Sequence, residues 1–224
     1  MKKIFAIAGL LALSITPTAS FADHLEPKES EIRPVGDLAH TNLKGRDLSG
    51  ANLRGANLDY ASLRIANLKG ADLNGAYLYN ADLRGANLKG ANLRGAVFSG
   101  ADLKGASLRS TKLNNARLDD ADLNAADLDN ADMKSTYLNK TNLRGADLNN
   151  VNLSNARINN SDLSGANLRG ADLNNAMLYN VNLKGADFKD VNLNGVSTAE
   201  LRGCPSRLPN EWVCEANGIT KRIR

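Results

Sequence analysis

Histidine and cysteine are nearly missing from this chain of 224 residues, which holds two of each: His24, His40, Cys204 and Cys214. Catalysis of the Ser/His/Asp or Cys/His kind needs a base beside a nucleophile. The long central part of the chain offers only His40 and no cysteine. A zinc site needs four ligands, and here the cysteines and histidines stand at opposite ends. Aspartates are plentiful but recur as a lattice, so no carboxylate is singled out. No catalytic, cofactor or metal site is therefore expected, and the reading is not an enzyme. Aromatic residues make up only 4%, so a core made mostly of Leu and Ala must owe its order to repetition. Proline is absent from 35 to 204, as expected where every turn keeps its backbone donors. Strong charge of one sign is missing too. The formal +4 includes Lys2 and Lys3, and without them the chain carries 26 basic and 24 acidic residues. Nothing in that balance calls for nucleic acid.

The one apolar run, residues 4–15, follows Lys2 and Lys3 and precedes Ser20, Phe21 and Ala22. A charged start, an apolar middle and small residues at the cut read as a secretory signal peptide over 1–22. The run is shorter than the ~20 residues a membrane span takes. Residues 23–35, with Pro27 and Pro34, read as a polar N-terminal arm. The expected address is periplasmic or secreted, or a thylakoid lumen in a photosynthetic source.

What the chain does have is a repeat. From Leu38 to Leu193 an apolar residue returns at every fifth position, thirty-two times without a slip, and twenty-eight of these centres are Leu. The others are Phe98, Met133, Ile158 and Phe188. Two residues before the centre stands Ala in twenty-two units, and one before it Asn or Asp in twenty-three. A period of five fits neither the 3.6 of a helix nor the 2 of a strand. It fits a square coil with one unit per side, Ala and Leu pointing inward as alternate residues of a short extended segment. The last residue of the unit is Gly or Asn in twenty-three cases, the residues that tolerate a corner with φ > 0.

Units such as Ala51-Asn52-Leu53-Arg54-Gly55 and Ala81-Asp82-Leu83-Arg84-Gly85 resemble those of the pentapeptide repeat family. The resemblance covers residues 36–197. It implies an all-β fold, a right-handed quadrilateral β-helix of about eight coils. At ~4.8 Å per coil the rod would be about 38 Å long, with a packed core that leaves no room for a ligand. Function must then lie on the outer sides or at the ends.

Open solenoid ends expose strand edges and need caps. The pattern fails after Val196, and residues 198–224 read as a C-terminal cap. Cys204 and Cys214 lie ten residues apart there, and in an oxidising compartment they read as a structural disulfide rather than a reactive or metal-binding pair. Trp212 and Leu208 are expected to cover the last coil.

Residues twenty apart share a side of the coil, so the sides can be read separately. On one, the residue after the centre gives a basic stripe: Lys44, Arg64, Arg84, Lys104, Arg144 and Lys184. It could meet an anionic envelope polymer, or be a solvated surface whose charge the neighbouring Asp82, Asp102, Asp122 and Asp162 offset. Another side collects all five tyrosines, Tyr60, Tyr77, Tyr79, Tyr137 and Tyr179. It also breaks the Asn/Asp rule with Tyr77, Val97, Arg117, Tyr137, Arg157 and Met177. Tyr, Met and Arg are enriched at interfaces, so this side is the candidate surface for a protein partner or self-association. Some family members resemble a DNA duplex and bind topoisomerase. That needs a strongly negative rod in the cytoplasm, and this chain departs from it in charge and address. Charge also shifts along the axis, with net +6 over residues 36–117 and net −4 over 118–197.

Overall fold

A corner with positive φ closes every unit. At all thirty-two positions from His40 to Gly195, φ lies between 50 and 73°. The computed structural model describes residues 37–215 and 218–221, so the expected signal peptide over 1–22 and the expected arm over 23–35 lie outside the described residues. At most corners the next unit's first amide donates back to the centre residue's carbonyl, as Ala56 N does to Leu53 O at 3.1 Å. That is the turn geometry that asks for Gly or Asn at its third residue. Four such turns bring the chain back over itself. Leu53 N donates to Asp72 O at 2.7 Å, Asp72 N to Ala51 O at 2.9 Å, and Gly55 N to Asn74 O at 2.9 Å. The same three bonds recur along the molecule, and every bridge joins residues twenty apart in parallel. Asp82 pairs with Asp102, so Leu83 and Leu103 stand on successive storeys of one column.

The sides are too short to form ladders of their own, except near the C-terminal end. There β1 (Met177–Tyr179) pairs in parallel with β2 (Ser197–Ala199), and β3 (Trp212–Glu215) pairs antiparallel with β4 (Gly218–Lys221). There is no helix among the described residues. The centre residues and the Ala before them form one continuous buried core, each Leu contributing ~1.5–3 kcal/mol before chain entropy is subtracted. Where a hydroxyl takes the Ala slot it is buried but bonded. Thr111 Oγ1 donates to Leu108 O, Thr136 Oγ1 to Met133 O, and Ser161 Oγ to Leu138 O, so no polar atom there goes unmet.

The Asn/Asp slot has two tasks. Its side-chain oxygen accepts the amide two residues on, as Asp72 Oδ1 does from Asn74 N at 3.1 Å. The same oxygen accepts from an Asn one coil further, Asn92 Nδ2 at 2.9 Å. Asn-on-Asp rungs of this kind recur at Asn142–Asp122, Asn152–Asp132 and Asn182–Asp162, with an Asn-on-Asn rung at Asn87–Asn67.

Stacking runs on past residue 197, where the sequence pattern stops. Arg202 bridges Asn182 and Arg207 bridges Asp187, forming part of a ninth coil. Thr198 and Gly203 hide it from a search for apolar centres, although Leu208 keeps the five-residue register. The disulfide joins Cys204 to Cys214 with Cα atoms 5.9 Å apart, tying this coil to β3. Leu208 and Trp212 pack against the core and Ile219 is buried, so the cap covers the last storey as expected.

Candidate interaction face

On the side that drops the Asn/Asp slot, one unbroken line of bridges runs Asn57, Tyr77, Val97, Arg117, Tyr137, Arg157, Met177. Bridge pairing continues from Met177 to Ser197 in β2. Twenty-residue counting thus placed this column correctly. Tyr77 is 52% exposed and Met177 46%. Arg117, Tyr137 and Arg157 are exposed, and Val97 is half-buried between them. The Arg157 guanidinium sits over the Tyr137 ring, 5.3 Å from its centroid, a cation–π contact. Tyr79 and Tyr179 flank the column and Tyr60 occupies a corner, all three exposed.

His40 joins this surface, and residue typing had passed it over. Its ring stacks on Tyr60 at 5.0 Å, and Tyr60 meets Tyr79 edge-on at 5.6 Å. The available signal was its position, twenty residues before Tyr60 and therefore on the same corner. The side accordingly carries two aromatic clusters, His40–Tyr60–Tyr79 near the N-terminal end and Tyr137–Arg157 further along.

Losing the Asn/Asp slot leaves the amide after the centre without its local acceptor. At three of these amides the acceptor comes from the coil before. Asp59 Oδ1 accepts from Tyr79 N at 2.7 Å, Asp119 Oδ1 from Asn139 N at 3.2 Å, and Asn159 Oδ1 from Tyr179 N at 3.0 Å. Asp59, Asp119 and Asn159 thus use the slot after the centre to serve the next coil's backbone.

The basic stripe also forms one exposed column, but its members differ. Arg84 lies 2.6 Å from Asp82 and 3.5 Å from Asp102. Lys104 lies 2.9 Å from Asp122 and 3.5 Å from Asp102. Asp stacked on Asp has no amide donor between, and these cations fill that gap. Arg84's hydrogen bonds hold the Asp82 carboxyl below the usual range against the opposing effect of burial. At Asp122 and Asp162 burial pushes the other way, and hydrogen bonds with attraction to Lys104 and Arg144 outweigh it. Lys44, Arg64, Arg144 and Lys184 make no ion pair among the described residues. No group of three or more His, Cys, Asp or Glu there could hold a metal ion, and no helix is long and apolar enough to cross a membrane.

The repeat itself decides the family: Pentapeptide repeats match in eight copies, the first beginning at 37 and the last ending at 195. The chain belongs to the pentapeptide repeat family. Among solved structures, this pentapeptide repeat protein is similar to HetL of the cyanobacterium Nostoc sp. strain PCC 7120, described as involved in heterocyst differentiation regulation. The identity is 31% over 74% of this chain and 86% of that one, with a TM-score of 0.49. QnrB1, a plasmid-mediated fluoroquinolone resistance protein, is 18% identical over 70% of this chain and 91% of its own, TM-score 0.40. A pentapeptide repeat protein of the Arabidopsis thaliana thylakoid lumen is 32% identical over 49% and 69%, TM-score 0.19. No curated protein matches.

Proposed function

We propose that this pentapeptide repeat protein is a non-catalytic, extracytoplasmic interaction module, a right-handed quadrilateral β-helix that recognises a protein partner or a second copy through its tyrosine-bearing side. One observation carries the reading. Of four sides built on the same ladder, a single one gives up its Asn/Asp column and lines Tyr77, Val97, Arg117, Tyr137, Arg157 and Met177 along the rod. Exposed Tyr, Met and Arg supply large, well-anchored contact area. The Arg157–Tyr137 and His40–Tyr60 contacts hold part of that area in place before any partner arrives, which lowers the ordering cost of binding.

Crosslinking and affinity capture from the native cell envelope, with light scattering on the purified protein, test this. The triple variant Tyr77→Ser/Tyr79→Ser/Tyr137→Ser should lose its partner, or fall from dimer to monomer, while its circular dichroism stays that of the parent. Capture that survives the triple variant, with no change in oligomeric state, removes the tyrosine side from the account.

A further inference from the structure

The basic side changes character along its length. In the third to fifth coils Arg84 and Lys104 are engaged by Asp82, Asp102 and Asp122. In the first two coils the same column holds Asn42 and Ser62 instead. Lys44, Arg64 and Arg46, which follows the corner, are exposed and make no ion pair among the described residues.

At the corner between these cations stands Ile65, 61% exposed with φ of 50°. A β-branched residue is an outlier in that region of backbone space, and such outliers persist where surrounding structure imposes them and cluster at functional sites. Gly45 and Gly85 occupy the same corner one coil to either side. A Cβ on them would come 3.9 and 3.4 Å from the isoleucine side chain, so Ile65 protrudes between two bare backbones. Tyr60, half-exposed, marks the other corner of this side in the same coil.

We propose that this patch, Lys44, Arg46 and Arg64 around Ile65, docks the N-terminal end of the rod onto an anionic phospholipid surface. Cations that no carboxylate holds in an ion pair, Arg64 feeling Asp82 only at a distance, are attracted to phosphate headgroups. A protruding aliphatic side chain among them can enter the boundary between headgroups and acyl chains, a contact that a soluble polyanion does not offer. The axial charge fits this orientation, since residues 36–117 carry net +6 and residues 118–197 net −4. The patch is separate from the tyrosine column, so either surface can fail without the other.

The test is co-sedimentation at low salt of the protein, in the form its own cell makes, with vesicles of phosphatidylcholine alone or mixed with phosphatidylglycerol. Binding is expected to require phosphatidylglycerol and to weaken with added salt. Lys44→Gln/Arg64→Gln should weaken it roughly twenty-five-fold, at about fivefold per cation. Ile65→Asn should weaken it several-fold while raising the melting temperature, because Asn accepts the left-handed corner; Ile65→Gly provides a second variant of the same kind. Equal binding to both vesicle types, no binding to either, or binding that Ile65→Asn and Ile65→Gly leave unchanged would each overturn lipid docking. The last result would indicate a plain polyanion contact.

Discussion

The tyrosine side and the aspartate side are built on one backbone and one core, and they solve the same local problem in different ways. On the aspartate side the acceptor for the amide after each centre is local, as with Asp102 Oδ1 and Lys104 N at 3.1 Å. On the tyrosine side it comes from the preceding coil, as with Asp59 Oδ1 and Tyr79 N. Moving the acceptor by one storey lets Tyr77, Tyr137 and Met177 fill the slot before the centre without orphaning the amides of Tyr79, Asn139 and Tyr179. A repeating rod can thus vary the surface of one side while the other three keep most of their polar lattice.

If the two sides differ only on the outside, their cores must be equivalent. Leu138→Ala on the tyrosine side and Leu143→Ala on the aspartate side, both fully buried, should each lose about 2–5 kcal/mol in denaturant unfolding. A marked inequality would mean that the sides differ in packing as well as in surface.

A corner test comes next in size. Gly100, on the tyrosine side, has φ of 71°, and Asn80 Oδ1 occupies the space its Cβ would need. Gly55 has a similar φ and nothing within 4 Å. Gly100→Ala should therefore cost more than Gly55→Ala, by about 1 kcal/mol, for displacing the Asn80 amide.

Smaller still is the effect of the lattice itself. Asp102→Ala removes the acceptor of Lys104 N and a carboxylate shared by Arg84 and Lys104, and should cost about 1 kcal/mol. Tyr77→Ala touches no such bond, because Tyr79 N already donates to Asp59. Its stability should stay within about 0.5 kcal/mol of the parent. Equal losses for the two would erase the distinction drawn here.

The smallest effect is on pH. Asp82, Asp122 and Asp162 have folded-state pKa values below the ordinary one. Their stabilisation is present above the unfolded pKa, about 4, and is lost as pH falls through the lower folded values. Tyr179 is shifted the opposite way by its hydrogen bond to Glu200. Its contribution is present below about pH 10 and is lost as pH rises beyond that. Acid unfolding of Asp122→Asn should thus be less steep than the parent's, and Tyr179→Phe should flatten the alkaline limb alone.

Much of this was legible because the repeat never slips. With a strict period of five and four units per coil, every residue's column follows by counting, and the tyrosine column, the basic stripe and its neighbouring aspartates fell where counting put them. The ninth coil was not legible, because Gly203 stands where a centre residue should and backbone pairing needs no apolar side chain. Nor was the uneven fate of the basic stripe. Whether Arg84 reaches Asp82 or water depends on rotamers and on what lies one storey away, which a single repeat does not encode.

Periodicity alone determined that the chain coils in twenties and what each column contains. Those are consequences of register, and register is a property of the order of residues. Only the tertiary structure decided which amide borrows its acceptor from the coil before, which cations are spent on aspartates and which remain exposed, and that Ile65 is held in a left-handed corner. Most of these depend on distances of a few ångströms between residues eighteen to twenty apart in the chain, set by how one coil rests on the next.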